Sequence, residues 1–265
     1  MGTRLENKFS ELKVQGKKAL VIYLTCGLPN AEDTVEAVRR AEAAGADMIE
    51  LGLPFSDPMA DGPVIQTASV RALKAGMTLP KVLETVREIR KFSEIPLIGM
   101  GYINQMYHYG FEKFVQEALA AGMDGLIAPD VPHEESAELR EISKRHGFHF
   151  MEFITPGTTG ARMEETCHDA TGFIYCVSNY GVTGVKEIDY GIIGKVCTEA
   201  RRHTDVPLCI GFGIGTPEAA AAAAAHADGV IVGSAVLQRI LEGKTDEAMS
   251  LINGMRQALD DTYHF

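Results

Sequence analysis

Apolar and polar positions alternate between two periods along almost the whole chain. The segment R-L-E-N-K-F-S-E-L-K at 4–13 places Leu5, Phe9 and Leu12 at helical spacing, which predicts a short amphipathic helix packed on the main body. A β-branched and apolar run at 19–25 predicts a strand, followed by a turn at 27–30 and a helix that ends at Gly45. The same unit then repeats. Strands are expected at 47–51, 96–100, 125–128, 148–154, 172–177, 207–210 and 229–232. Between and after them, helices are expected at 63–74, 80–91, 111–121, 133–146, 190–203 and 216–225, with a short helix after 155–159 and a final pair closing the chain.

Alternating strands and helices imply a parallel sheet, and eight such strands in a chain of 265 residues imply a closed (β/α)8 barrel, an α/β fold with an extra N-terminal helix. An open doubly wound sheet is the alternative, although it ordinarily uses fewer strands. An internal repeat supports the barrel: A-A-G-A-D-M-I-E at 43–50 returns as A-A-G-M-D-G-L-I at 120–127 and, more loosely, as A-A-H-A-D-G-V-I at 224–231. No long linker or shift in composition divides the chain, so one domain over 1–265 is expected.

The barrel assignment directs attention to the C-terminal ends of the strands, where such folds build their sites. In the strand at 47–51, Ile49 and Leu51 suit the outer helices, which turns Glu50 toward the interior. A plain alternative is a glutamate paired with an interior cation, but no Lys or Arg occurs within the eight expected strands. An unpaired buried carboxylate is costly and holds its proton, the condition for a general acid. Asp61 lies on the loop that leaves this strand. Taken alone, its D-G pair is ordinary turn chemistry, and its place beside Glu50 gives it weight.

Three glycine-bearing segments follow the sixth, seventh and eighth strands: Gly181–Gly184, Gly211–Gly213 and Gly233-Ser234. Each alone reads as a tight turn; together on one rim they favour a phosphorylated ligand held by backbone amides, with Gly233-Ser234 opening a helix. Tyr23, Tyr102, Tyr175 and Phe212 fall at or near strand ends, where they either pack or line a slot for a flat ligand.

Composition removes several other chemistries. A formal net charge of −11 with no basic stripe argues against nucleic acid. The longest apolar runs are too short to span a bilayer, and the mixed-charge first 18 residues lack a signal-peptide core, so a soluble, cytoplasmic protein is expected. Five cysteines without C-x-x-C spacing read as reduced thiols. The eight histidines are scattered, so no metal site is expected, and the sixth strand carries no Schiff-base lysine.

The stretch E-L-G-L-P-F-S-D-P-M-A-D-G-P-V-I-Q at 50–66 resembles the signature of the tryptophan synthase α subunit family. The similarity extends through Y-L-T-C-G-L-P at 23–29, P-D-V-P at 129–132, S-N-Y-G-V-T-G at 178–184, G-F-G-I at 211–214 and V-G-S-A at 232–235. The resemblance implies a (β/α)8 barrel that cleaves indole-3-glycerol phosphate to indole and glyceraldehyde 3-phosphate. It implies no cofactor in this chain, and a pyridoxal-phosphate β subunit as partner in an αββα heterotetramer.

By position, the resemblance makes Glu50 the acid–base and Asp61 the acid that holds the indole N–H. It places Gly184, Gly213, Gly233 and Ser234 at the phosphate, and Tyr23, Tyr102, Tyr175, Thr183 and Phe212 around the substrate. Pro54, Asp57 and Pro58 fall at the β-subunit contact. A stand-alone lyase releasing free indole is the alternative. Another phosphosugar barrel enzyme would leave the Glu50–Asp61 pair without a reason, and a non-catalytic activator would not need it.

Overall fold

The computed structural model describes residues 2–178 and 189–263. Its elements run α1 (Arg4–Val14), β1 (Ala19–Thr25), α2 (Ala31–Ala43), β2 (Met48–Gly52), α3 (Pro63–Lys74) and α4 (Leu79–Arg90). They continue with β3 (Leu97–Met100), α5 (Ile103–Tyr109), α6 (Phe111–Ala121), β4 (Gly125–Ile127), α7 (Ala137–His146), β5 (His149–Phe150) and β6 (Glu152–Ile154). The last third comprises α8 (Gly160–Asp169), β7 (Ile174–Val177), α9 (Tyr190–Ala200), β8 (Leu208–Gly211), α10 (Pro217–Ala224), β9 (Gly229–Val232), α11 (Ser234–Leu241) and α12 (Thr245–Thr262).

All strand pairings are parallel, in the order β5-β4-β3-β2-β1-β9-β8-β7-β6. β5 and β6 stand at the two ends of that order, yet they are consecutive pieces of one chain segment. The ring therefore closes through that segment, and the open-sheet alternative falls. The strand expected at 148–154 is split at Met151 because its first half pairs with β4 and its second with β7.

Alternation along the strands sorts side chains into two cores. Val21, Tyr23, Met48, Ile98, Ile127 and Cys209 cluster inside the barrel, whereas Leu20, Ile22, Ile49, Leu51 and Leu97 pack between barrel and helices. α1 joins the inner cluster through Leu5, Phe9 and Leu12, and so plugs the N-terminal end of the barrel. Phe9 lies 6.1 Å from Phe173, and at Gly172 a Cβ would sit 2.8 Å from Leu5.

The aspartates of the internal repeat share one structural task. The carboxylates of Asp47, Asp124 and Asp228 accept from Leu20 N, Leu97 N and Leu208 N at 2.8, 2.8 and 2.7 Å, clamping the start of the neighbouring strand. Each also meets an arginine: Arg256, Arg90 and Arg201, respectively.

Two helical segments differ from the pattern. The helix expected at 133–146 begins as a 3-10 turn, His133–Glu135, and restarts at Ala137 because Ser136 folds its hydroxyl back onto His133 O. α5 has too few turns to leave a periodic signal. It is held from outside, by the Asp130 carboxylate accepting from Ile103 N at 3.1 Å.

Candidate active site

β2 lies between β1 and β3, and Glu50 stands opposite Tyr23 and Ile98 in register. The side chain points into the barrel, only 3% exposed. Its Oε2 has no hydrogen-bond partner among the described residues. Burial, and secondarily the charge of Asp61, push its proton affinity up to a pKa of about 8.

Asp61 is 2% exposed and sits immediately before α3. Its backbone is pinned on both sides, with Asp61 N donating to Pro58 O at 3.1 Å and Gln66 Nε2 donating to Asp61 O at 2.8 Å. Burial raises its pKa to about 6, against the opposing effect of a hydrogen bond from the Tyr102 hydroxyl. The two acids therefore differ. Burial lifts the pKa of Glu50 above neutrality and that of Asp61 less far, the kind of separation that divides acid from electrostatic roles.

Both acids line one cavity that opens at its mouth. Tyr23, Tyr175, Phe212, Gly213, Gly233 and Ser234 share its wall. The tyrosine hydroxyls fit because the neighbouring strand ends are glycine. A Cβ on Gly52 would be 2.1 Å from the Tyr23 hydroxyl, and one on Gly211 2.3 Å from that of Tyr175. Burial first, then the two acids, keep both phenols firmly protonated.

On the same cavity, Gly233 caps α11 and Ser234 begins it, which brings the positive dipole end of that helix to the cavity wall. Gly213 completes this edge. Phe212 precedes it with φ +76°, a left-handed conformation that costs a non-glycine residue ~1–2 kcal/mol.

Tyr102 meets the site through Asp61. It is absent from the cavity wall; its ring stacks on Phe55 with centroids 5.4 Å apart, and its hydroxyl accepts from Ala60 N at 3.1 Å while bonding Asp61. It braces the acid's loop from behind. Thr183 and Gly184 lie outside the described residues. Of the three residues assigned to a partner contact, Pro54 and Pro58 are buried, the carbonyl of Pro54 accepting from Gln105 Nε2 at 2.8 Å. Asp57 is exposed, beside Met59 at 85% exposure.

Phe153, Met100, Ile127, Ile65 and Ile231 also line the cavity, and none was singled out from the sequence. Strand alternation was the available signal: Met100, Ile127 and Ile231 fall on the inner face near strand ends. Phe153 stacks on Tyr175 at 5.2 Å, and Tyr175 meets Phe212 edge-on at 6.0 Å, giving a continuous aromatic wall beside Glu50. Among the described residues, no Lys or Arg lines the cavity. Among the described residues, no group of three His, Cys, Asp or Glu side chains is placed to hold a metal.

A parallel barrel with two buried acids, an aromatic wall and a helix N-terminus around one cavity at the strand ends has the layout of a (β/α)8-barrel enzyme. The family model described as tryptophan synthase alpha chain matches residues 9–261. A solved protein of Aquifex aeolicus VF5 superimposes with a TM-score of 0.91 at 38% identity, covering 98% of this chain and 99% of that one. The tryptophan synthase subunit alpha of Legionella pneumophila str. Paris does so with a TM-score of 0.91 at 37% identity, covering 98% and 100%. Mycobacterium tuberculosis tryptophan synthase gives 0.90 at 30% identity, covering 98% and 99%.

The chain belongs to the tryptophan synthase alpha chain family, whose lyase reaction is the cleavage of indole-3-glycerol phosphate. That family needs no cofactor of its own and works with a beta subunit. None of these three structures is described as a free-standing lyase.

Proposed function

We propose that the chain cleaves indole-3-glycerol phosphate with Glu50 as the acid–base and Asp61 as the electrostatic partner. The phosphate rests on the edge made by Gly213, Gly233 and Ser234, and the indole lies along the wall of Tyr23, Tyr175 and Phe212. Glu50, protonated at neutral pH, gives its proton to indole C3. The ring becomes an indoleninium whose positive charge, centred on N1–H, is met by the Asp61 carboxylate. Glu50, now ionised, takes the proton of the adjacent glycerol hydroxyl. The C–C bond breaks, its electron pair restores neutral indole, and the carbonyl of glyceraldehyde 3-phosphate forms. Glu50 ends protonated, ready for the next cycle.

The observation that carries this reading is the pair of buried acids on one cavity, with burial raising the proton affinity of Glu50 further than that of Asp61. Thr183 and Gly184 complete the substrate and phosphate contacts in this reading, and Tyr102 acts through Asp61. A β subunit holding pyridoxal phosphate would take up the indole within an αββα assembly, and the loop of Pro54, Asp57 and Pro58, with Asp57 exposed, would form the contact with it. Residues 1–265 work as one barrel domain in the cytoplasm. Among the described residues no helix is long and apolar enough to cross a membrane.

The test is indole release from indole-3-glycerol phosphate by the purified chain, with and without a β subunit. Slow release alone and strong acceleration with the partner support the proposal. Absence of indole in both conditions overturns the substrate, and fast release alone overturns the dependence on a partner.

A further inference from the structure

Ser178 follows β7 and is only 6% exposed, yet it belongs to neither core cluster. It makes two bonds to the turn after β8. Its N–H donates to Gly211 O at 3.4 Å, and its hydroxyl donates to Phe212 O at 3.1 Å. Phe212 is the non-glycine residue with positive φ among the described residues, and Gly213 beside it has φ +73°. A phenylalanine does not enter that region unaided, and the hydrogen bond to its carbonyl is an interaction that selects it. Because the peptide is planar and trans, fixing the carbonyl of Phe212 also fixes the N–H of Gly213, which points the opposite way. Gly213 lies on the cavity wall with Gly233 and Ser234.

We propose that Ser178 is a positioning residue that holds the Phe212–Gly213 peptide in its left-handed turn and so sets the pocket's affinity for the substrate phosphate. The inference rests on the phosphate reading above. Ser178 touches neither phosphate nor reacting atoms; it acts through the peptide. Replacing the hydroxyl frees the carbonyl, the turn relaxes toward a conformation better suited to phenylalanine, and the Gly213 amide leaves its place.

The test measures binding of glycerol 3-phosphate by calorimetry, together with kcat, KM and thermal stability, in the wild type, S178A, S178T and F212G backgrounds. S178A is expected to weaken glycerol 3-phosphate about tenfold, on the scale of one lost hydrogen bond. KM should rise by a similar factor with kcat changed less than threefold, and S178T, which keeps the hydroxyl, should restore binding. Glycine accepts positive φ freely, so S178A in an F212G background should change phosphate affinity less than twofold. A lower melting temperature for S178A with unaltered glycerol 3-phosphate affinity would overturn the proposal, as would an undiminished S178A effect in the F212G background. Failure of the wild type to bind glycerol 3-phosphate at all would overturn the phosphate reading itself, and this inference with it.

Discussion

Asp61, on the loop leaving β2, faces Glu50 closely enough that its negative charge adds to burial in holding the proton on Glu50. The sign of that coupling matters. One acid stays ionised partly because Tyr102 bonds it, and the ionised acid in turn keeps its neighbour neutral. Activity should therefore follow a bell. The acid limb of kcat/KM should fall near pH 6, where Asp61 protonates, and the alkaline limb near pH 8, where Glu50 loses its proton. A pH–rate profile from 5 to 9.5 checks this; E50Q should lower kcat at least about 1,000-fold while leaving glycerol 3-phosphate binding within twofold.

The same shift acts on stability. Glu50 has a higher proton affinity folded than unfolded, so its favourable contribution is complete below its ordinary range near 4.5. It is lost as pH rises through about 8, where a buried charge must be carried. E50Q carries no such charge. Its melting temperature should exceed that of the wild type by a margin that grows from pH 5 to pH 9, measured by calorimetry across that range.

Tyr102 gives a separable prediction, since it reaches the chemistry only through Asp61. Y102F removes the hydrogen bond that lowers the Asp61 pKa and the acceptor of Ala60 N. The acid limb should move toward neutral pH while the alkaline limb stays within half a unit. Rate loss should be about fivefold at pH 6.5 and smaller at pH 8, the size expected for one hydrogen bond.

Asp124 tests the clamp at the other end of the barrel. It holds Leu97 N and pairs with the largely buried Arg90 at 2.9 Å. D124A leaves a guanidinium and a strand N–H without their partner, and should cost about 3–5 kcal/mol in urea unfolding. The pH–rate profile of the folded fraction should keep both limbs unmoved, because the cluster lies at the opposite end from the acids.

Much of this was legible in the chain. The recurrence of A-A-G-x-D ahead of a strand encodes the clamp of Asp47 and Asp124, and the isolated Glu50 in an apolar strand encodes the buried acid. What escaped depends on contacts distant in sequence. α5 exists because Asp130, on another loop, accepts from its first N–H. The strand-end position of Tyr102 does not reveal its contacts; its stacking on Phe55 and its bond to Asp61 come from the fold. Gly52 and Gly211 stood inside motifs read for other reasons, and nothing in those motifs shows that each leaves the space for a tyrosine hydroxyl from the adjacent strand. Pro54 and Pro58 are surface-loop residues by type, and tertiary packing buries them.

The most direct measurement is a titration of Glu50 itself, by carbon NMR of side-chain-labelled glutamate with E50Q supplying the assignment. A midpoint near 8, displaced downward in D61N, is the expected result. A midpoint in the ordinary carboxylate range near 4.5 would leave Glu50 ionised at neutral pH and contradict its role as the proton donor to indole C3.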